Sequence, residues 1–367
     1  MPSPAVLVDQ EDVRRGVDGV LRATLEAERE RLREVSPEAE TLADSLDSML
    51  SGGKRLRAAL CYWSWRAHGG DGEAGRDAAL AVGAALELFQ AAALFHDDVM
   101  DASATRRGLP AAHVAHADRH REQGWSGDPG RYGESAAILL GDLALVLAGR
   151  ALGGATAVLD RPTADLVREL FDDMELVVTT GQFLDVHAQA VAWGVDPAAD
   201  EERARTVIRA KSARYSVEHP LLLGAAIAGA TSGALAAASS YGLPLGEAFQ
   251  LRDDLLGVFG DPARTGKPAG DDLREGKRTV LVARALATAD DDDRALVQAA
   301  LGRADLAADE VDGVREALVR SGAVAATEAL IDELADGALA ALEADALVEP
   351  GRTMLLALAR GLVERDA

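Results

Sequence analysis

Three carboxylates interrupt an apolar run, Leu94-Phe95-His96-Asp97-Asp98-Val99-Met100-Asp101, and Thr105-Arg106-Arg107-Gly108 follows closely. From Ala78 to Leu94 the only charge is Glu87. On a helix turning about 100° per residue, Asp97 and Asp101 lie about 40° apart, with Asp98 beside them. Two carboxylates ~4 Å apart repel by roughly 4 kcal/mol at an effective dielectric of 20. A cation between them removes that cost, and oxygen ligands on one face suit Mg2+. The adjacent arginines suit planar, bidentate phosphate binding. The first expectation is a metal and a phosphate.

A second acid cluster stands far away in sequence, Gln250-Leu251-Arg252-Asp253-Asp254-Leu255-Leu256-Gly257-Val258-Phe259-Gly260-Asp261. Gly257 occupies the i+4 position where a third carboxylate would repeat the first motif. Burying unpaired carboxylates is costly, so both clusters are expected to face a shared cavity. Phosphate-suited cations occur at Lys54 and Arg57, Arg106 and Arg107, Lys211, Lys267 and Lys277. In Ser51-Gly52-Gly53-Lys54-Arg55-Leu56-Arg57, three cations crowd the first turn of a helix. The helix dipole disfavours them there, so a bound anion is one explanation and a solvated basic turn the other. Gln182 and Asp185 share a helix face, as second-layer support for a site or as ordinary helix polarity. Asp172-Asp173 reads as a solvated face. His113, His116 and His120 stand at helical spacing, but with no cysteine near them zinc is disfavoured. Gly260 to Lys267 is not a P-loop, because Pro268 stands where Ser or Thr is required.

These residues must be positioned by helices. The chain has 367 residues rich in alanine, leucine, arginine and acids, with few β-branched runs. Amphipathic or apolar helical patterns cover residues 9–35, 37–50, 54–65, 76–101, 138–159 and 163–192, with two or three more after residue 313. Ser103 to Ser135 reads as a long polar loop of the kind that forms lids. The acidic segment Asp290 to Glu316 is expected at the surface. Leu221 to Gly246 carries no charge and is expected to be one buried helix rather than a membrane span, for which it is too rich in small residues. With no βαβ alternation, repeat or linker, the simplest architecture is one all-α domain over residues 1–367. Net charge is −23, which disfavours nucleic acid as a partner. Cys61 is the only cysteine, and the N-terminal residues lack a signal-peptide pattern, so a cytoplasmic location is expected.

The motifs in this order resemble the trans-type isoprenyl diphosphate synthases of the polyprenyl synthetase family. The resemblance runs from Gly52-Gly53-Lys54 to Arg278. It rests on the first aspartate-rich motif with its Arg-Arg-Gly, the lysine motif Lys211-Ser212, Gly181-Gln182, and Phe249-Gln250 before the second acid motif. It implies a single-domain antiparallel helical bundle around a deep central cavity, the isoprenoid synthase type. It also implies condensation of isopentenyl diphosphate with an allylic diphosphate, with release of diphosphate. By that resemblance Asp97, Asp101 and Asp253 are Mg2+ ligands, with Asp98 and Asp254 beside them, holding about three ions. Arg106, Lys211 and Lys267 match residues that grip the allylic diphosphate. Lys54, Arg57, Gln90 and Arg107 match the isopentenyl diphosphate pocket. Ser212 and Gln250 lie near the developing allylic cation, and Lys277 stands on a flexible tail that closes over the site. A homodimer is implied as well. Gly257 departs from the family's second motif, and weaker metal affinity at that end is expected.

In short-chain members a bulky residue four or five positions before the first motif closes the pocket. Here those positions are Ala93 and Ala92. The next large side chain is Phe89, ~12 Å below Asp97 at 1.5 Å per residue, giving a product of about twenty carbons, geranylgeranyl diphosphate. The alternative is that both alanines only pack a neighbouring helix. Rival readings are a farnesyl or longer-chain synthase, a class I terpene cyclase, a head-to-head condensing enzyme, and a non-catalytic partner subunit of another synthase. The two diphosphate sites favour elongation over cyclisation.

Overall fold

The computed structural model describes residues 10–260 and 270–364. The fold is all-α, as expected. Among the described residues the only sheet is a two-stranded hairpin, Thr105–Arg106 (β1) paired antiparallel with Leu109–Pro110 (β2). Two compact units are present. The first comprises the described parts of Met1–Phe171, with Pro220–Leu235 and Ala346–Leu358. The second comprises Asp172–His219, Ala236–Asp345 and the described part of Ala359–Ala367.

In the first unit, α1 (Val13–Val35), α2 (Glu40–Leu50) and α3 (Leu56–Ala67) pack around α4 (Glu73–Met100). α4 is apolar on nearly every side and buried accordingly, with Ala78, Ala79, Val82, Ala84, Ala85, Leu86 and Leu88 in the core. Each fully buried leucine contributes about 1.5–3 kcal/mol. α5 (Ala112–Glu122) and α6 (Pro129–Thr156) complete the unit's main packing, and α6 lies along α4. Asp128 starts α6 by accepting the Arg131 amide at 2.7 Å, with Pro129 at the first helical position.

The expected loop from Ser103 to Ser135 is therefore corrected. It contains β1, β2 and all of α5, and only residues 123–128 remain as a connection to α6. Glycines and prolines punctuate both ends of this region, but Ala112–Glu122 itself holds alanine, arginine and glutamate, which favour helix.

The second unit receives its functional segments from α7 (Arg161–Ala190), α8 (Pro197–Val207), a π-helical stretch (Ile208–Glu218) and α10 (Ser232–Phe259). Asp196 caps α8 through the Ala199 amide at 3.2 Å. α11 (Asp271–Glu275), α12 (Val280–Thr288), α13 (Asp291–Ala300), α14 (Ala308–Arg320) and α15 (Ala323–Ala344) follow. Their core includes Ile208, Leu251, Leu255, Leu273, Val280, Val297, Val311 and Val314. The acidic segment 290–316 is thus not all surface: α13 and α14 bury one apolar face each and leave their carboxylates outside.

The uncharged stretch 221–246 is also corrected. α9 (His219–Ile227) ends before Gly229, which takes a φ of +75°, and α10 starts at Ser232. Two other helices, α4 and α6, are long and apolar enough to cross a membrane by length and composition. The apolar window of α4 is 78% buried, and that of α6 is 39% buried.

Candidate active site

The first acid motif sits at the C-terminal end of α4. The Asp101 amide donates to the Asp97 carbonyl at 2.8 Å, so the two carboxylates are one helical turn apart, as their spacing requires. Asp97 and Asp101 are half-buried. Asp98 is buried, and Arg106 from β1 covers it: Arg106 Nε donates to Asp98 Oδ1 at 2.9 Å, and Nη2 reaches the same oxygen. His96 Nε2 lies 3.1 Å from the Ile138 carbonyl oxygen, which fixes α6 against the motif.

Behind the motif the cations gather. Arg107 Nη1 donates to the carbonyls of Met49 (3.1 Å) and Ser51 (3.2 Å), docking the hairpin on the Gly52-Gly53 loop. Desolvation holds the Arg107 guanidinium below its usual value, and neighbouring Arg55, Arg106 and Arg57 push the same way against the opposing pull of Glu87. Four guanidinium groups thus share one region. Arg55 is committed to structure: it donates to Asp18 (2.7 Å), Glu87 (3.2 Å) and the Leu50 carbonyl (2.6 Å). The isolated charge at Glu87 is thereby explained as a buried partner. Arg55, Ala102 and Arg107 all hold φ near +50°, an uncommon conformation for residues with a side chain, and they bracket this region.

In the second unit, the lysine motif lies on the π-helical stretch, a geometry common at functional sites. Gly181 lets α7 approach it closely, since a Cβ there would lie 2.6 Å from the Ala210 carbonyl carbon and 2.7 Å from Lys211 Cα. One turn later Asp185 accepts from Lys211 Nζ at 2.6 Å. The sequence singled out Gln182 and Asp185 but not this partner. Ser212 is half-buried beside Lys211.

The second acid motif repeats the layout of the first. Asp253 is exposed and Asp254 is buried. Gln250 Nε2 donates to Asp254 Oδ1 at 2.8 Å. Burial first, and then the Asp272 and Asp253 carboxylates, push the Asp254 carboxyl up to about 8 against the opposing pull of the Gln250 hydrogen bond and Lys277. Lys277 is no tail: it follows α11 and pairs with Asp272 Oδ1 (3.1 Å) and Glu275 Oε2 (2.7 Å). Lys267 and Asp261 lie outside the described residues.

Among the described residues, no three His, Cys, Asp or Glu side chains converge on a metal-sized space. His116 Nε2 instead lies 3.0 Å from Ser45 Oγ, and His120 Nε2 lies 3.1 Å from the Ser126 carbonyl. Mg2+ does not need an all-protein cage, because it uses one or two carboxylates together with water and phosphate oxygens. The carboxylates of Asp97 and Asp101, half-buried and one helical turn apart, fit that demand.

The family model for polyprenyl synthetase matches residues 39–318, most of the chain and both acid motifs. The chain belongs to the polyprenyl synthetase family. Geranylgeranyl diphosphate synthase of Sulfolobus acidocaldarius is 33% identical over 261 residues, 71% of each chain. That of Mycobacterium tuberculosis is 33% identical over 327 residues, 88% of this chain and 83% of the relative. A crystal structure of the Corynebacterium glutamicum geranylgeranyl pyrophosphate synthase, complexed with isoprenyl diphosphate and magnesium, superposes with a TM-score of 0.91. It is 36% identical, with 98% of this chain and 100% of that one covered. The chain is a trans-prenyltransferase of a Mg2+-dependent family.

Proposed function

We propose that this polyprenyl synthetase extends an allylic diphosphate with isopentenyl diphosphate to make geranylgeranyl diphosphate. The observation that carries the two-diphosphate reading is the gathering of Arg57, Arg106 and Arg107 behind the first acid motif, more cationic capacity than one metal-held diphosphate needs. By family resemblance Asp97 and Asp101, and Asp253 of the second motif, would hold Mg2+, about three ions in all, and the metal would supply charge neutralisation for a leaving diphosphate. Arg106, Lys211 and Lys267 match the residues that bind the allylic diphosphate in the family. Asp98 and Asp185 keep Arg106 and Lys211 oriented, so their charge is placed before the C–O bond breaks. The allylic carbon leaves with the electron deficit, the double bond of isopentenyl diphosphate attacks it, and a proton passes to the departing diphosphate. Lys54, Arg57, Gln90 and Arg107 hold the isopentenyl diphosphate. By family resemblance Ser212 and Gln250 lie near the developing cation, and Lys277 adds positive charge.

For product length, Ala92 is fully buried and Ala93 partly so, leaving small side chains ahead of the motif. Phe89 is buried edge-on against Phe171, with ring centroids 6.2 Å apart, and is the floor in this reading. Incubation with isopentenyl diphosphate and dimethylallyl, geranyl or farnesyl diphosphate should give a twenty-carbon all-trans product by chromatography, an estimate that rests on ~12 Å of helix above Phe89. Phe89→Ala should lengthen it, and an unchanged product profile would remove Phe89 as the floor.

One polyprenyl synthetase-like domain over residues 1–367 is part of this reading, in keeping with a family match that runs from residue 39 to 318. The enzyme works as a homodimer: Ile138, Leu139 and Val146 leave an apolar row exposed on α6, suited to a second copy. A single reduced, buried Cys61 accords with a cytoplasmic location.

A further inference from the structure

The second acid motif lacks its third carboxylate, and the position is not empty space. Gly257 lies one turn after Asp253 on α10, so a side chain there would share its face. A Cβ built on Gly257 would overlap Asp272 Oδ2 and lie 2.5 Å from Asp272 Cγ. No real Cβ tolerates such contacts. The Asp272 carboxylate therefore occupies the place where the missing side chain would begin.

Asp272 is built into that place. It is buried, and α11 carries it between Gly270 and Gly276, both at positive φ. Its neighbour Leu273 is anchored in the core, and the Leu273 carbonyl accepts the Gly302 amide at 2.9 Å. The Lys277 amide donates to the Asp272 carbonyl at 3.0 Å, while Lys277 Nζ takes Oδ1 at 3.1 Å. Oδ2 is the oxygen directed at Gly257.

We propose that Asp272 is the third carboxylate of the second acid motif, delivered from α11 rather than from α10, with Gly257 as the vacancy that admits it. Lys277 balances its charge. The proposal rests on the reading of Asp253 as a Mg2+ ligand, and it replaces the expectation that Gly257 weakens metal affinity.

The test uses the full-length protein, with Mg2+ titrated calorimetrically in the presence of inorganic pyrophosphate, alongside thermal melting. Asp272→Ala should weaken Mg2+ binding by about 10–100-fold, the usual cost of losing a supporting group at a metal site. The double variant Gly257→Asp/Asp272→Ala should recover most of that loss, because the carboxylate returns from the other helix. Gly257→Asp alone should lower the melting temperature, since two carboxylates then compete for one space. If Asp272→Ala binds Mg2+ like the parent while Asp253→Ala does not, the proposal fails and the metal reading stands. If Asp253→Ala also binds normally, the metal reading itself fails. If the double variant binds no better than Asp272→Ala, Asp272 serves only as an anchor for Lys277 and the proposal is overturned.

Discussion

In the first acid motif the buried aspartate, Asp98, is covered by a guanidinium, whereas in the second the buried aspartate, Asp254, is covered by an amide. The layouts otherwise match: an accessible aspartate, Asp97 or Asp253, precedes the buried one on the same helix. Arg106 brings a full counter-charge to Asp98. Gln250 brings only a dipole to Asp254, and the remaining neighbours include two more carboxylates, so the proton is retained to about pH 8. The buried acid of the first motif is thus charge-balanced by the protein itself. The second motif has a surplus of carboxylates and is completed by what it binds. The same acid-acid dipeptide acquires different electrostatics from the residue packed over it.

Four variants sharpen or break this comparison. Asp97→Ala should cost most, about 10²–10³-fold or more in turnover at saturating Mg2+, because charge stabilisation at the leaving diphosphate is lost. Full turnover would defeat the assignment of the first motif. Asp98→Ala should lower stability in urea by about 3 kcal/mol, the scale for leaving one partner of a buried ion pair unmatched. Arg106 is 19% exposed and regains some hydration, so a smaller loss is admissible but a null effect is not. Asp185→Asn removes the charged partner of Lys211 and should raise KM for the allylic diphosphate about 10-fold, the scale of one charge-assisted hydrogen bond. An unchanged KM would show that Lys211 needs no orienting partner.

Asp254→Asn should have the smallest effect and the opposite sign. With a folded value near 8 against an ordinary 3.8, the folded state binds more protons than the unfolded state across that interval. Unfolding free energy of the metal-free parent must therefore fall as pH rises from about 4 to 8. The asparagine variant escapes this loss, so its stability relative to the parent should grow with pH over the same window. A pH-independent difference between the two would contradict the amide-covered account of the second motif.

Much of this was legible before any coordinates. Carboxylates interrupting the apolar α4, and again α10, mark both motifs, because an acid in an apolar helix needs a reason. The all-helical class follows from composition and helical periodicity. The partners of the site residues were not legible. Asp98 with Arg106 spans eight residues and a hairpin hidden in a stretch read as loop. Asp185 with Lys211 depends on α7 approaching the π-helical stretch at Gly181. Asp272 stands in the run Gly270-Asp271-Asp272-Leu273-Arg274-Glu275-Gly276-Lys277, whose acids gave no hint that one fills the space left by Gly257. Periodicity describes what one helix presents, whereas each of these pairs depends on how two elements pack.

The central claim is elongation: two diphosphates meet, and the allylic one ionises to alkylate the other. The most direct measurement is pyrophosphate release from geranyl or farnesyl diphosphate in Mg2+, with and without isopentenyl diphosphate. Elongation predicts release that depends on isopentenyl diphosphate, with one pyrophosphate per isopentenyl unit incorporated. Release from the allylic substrate alone, accompanied by a cyclic hydrocarbon, would contradict it.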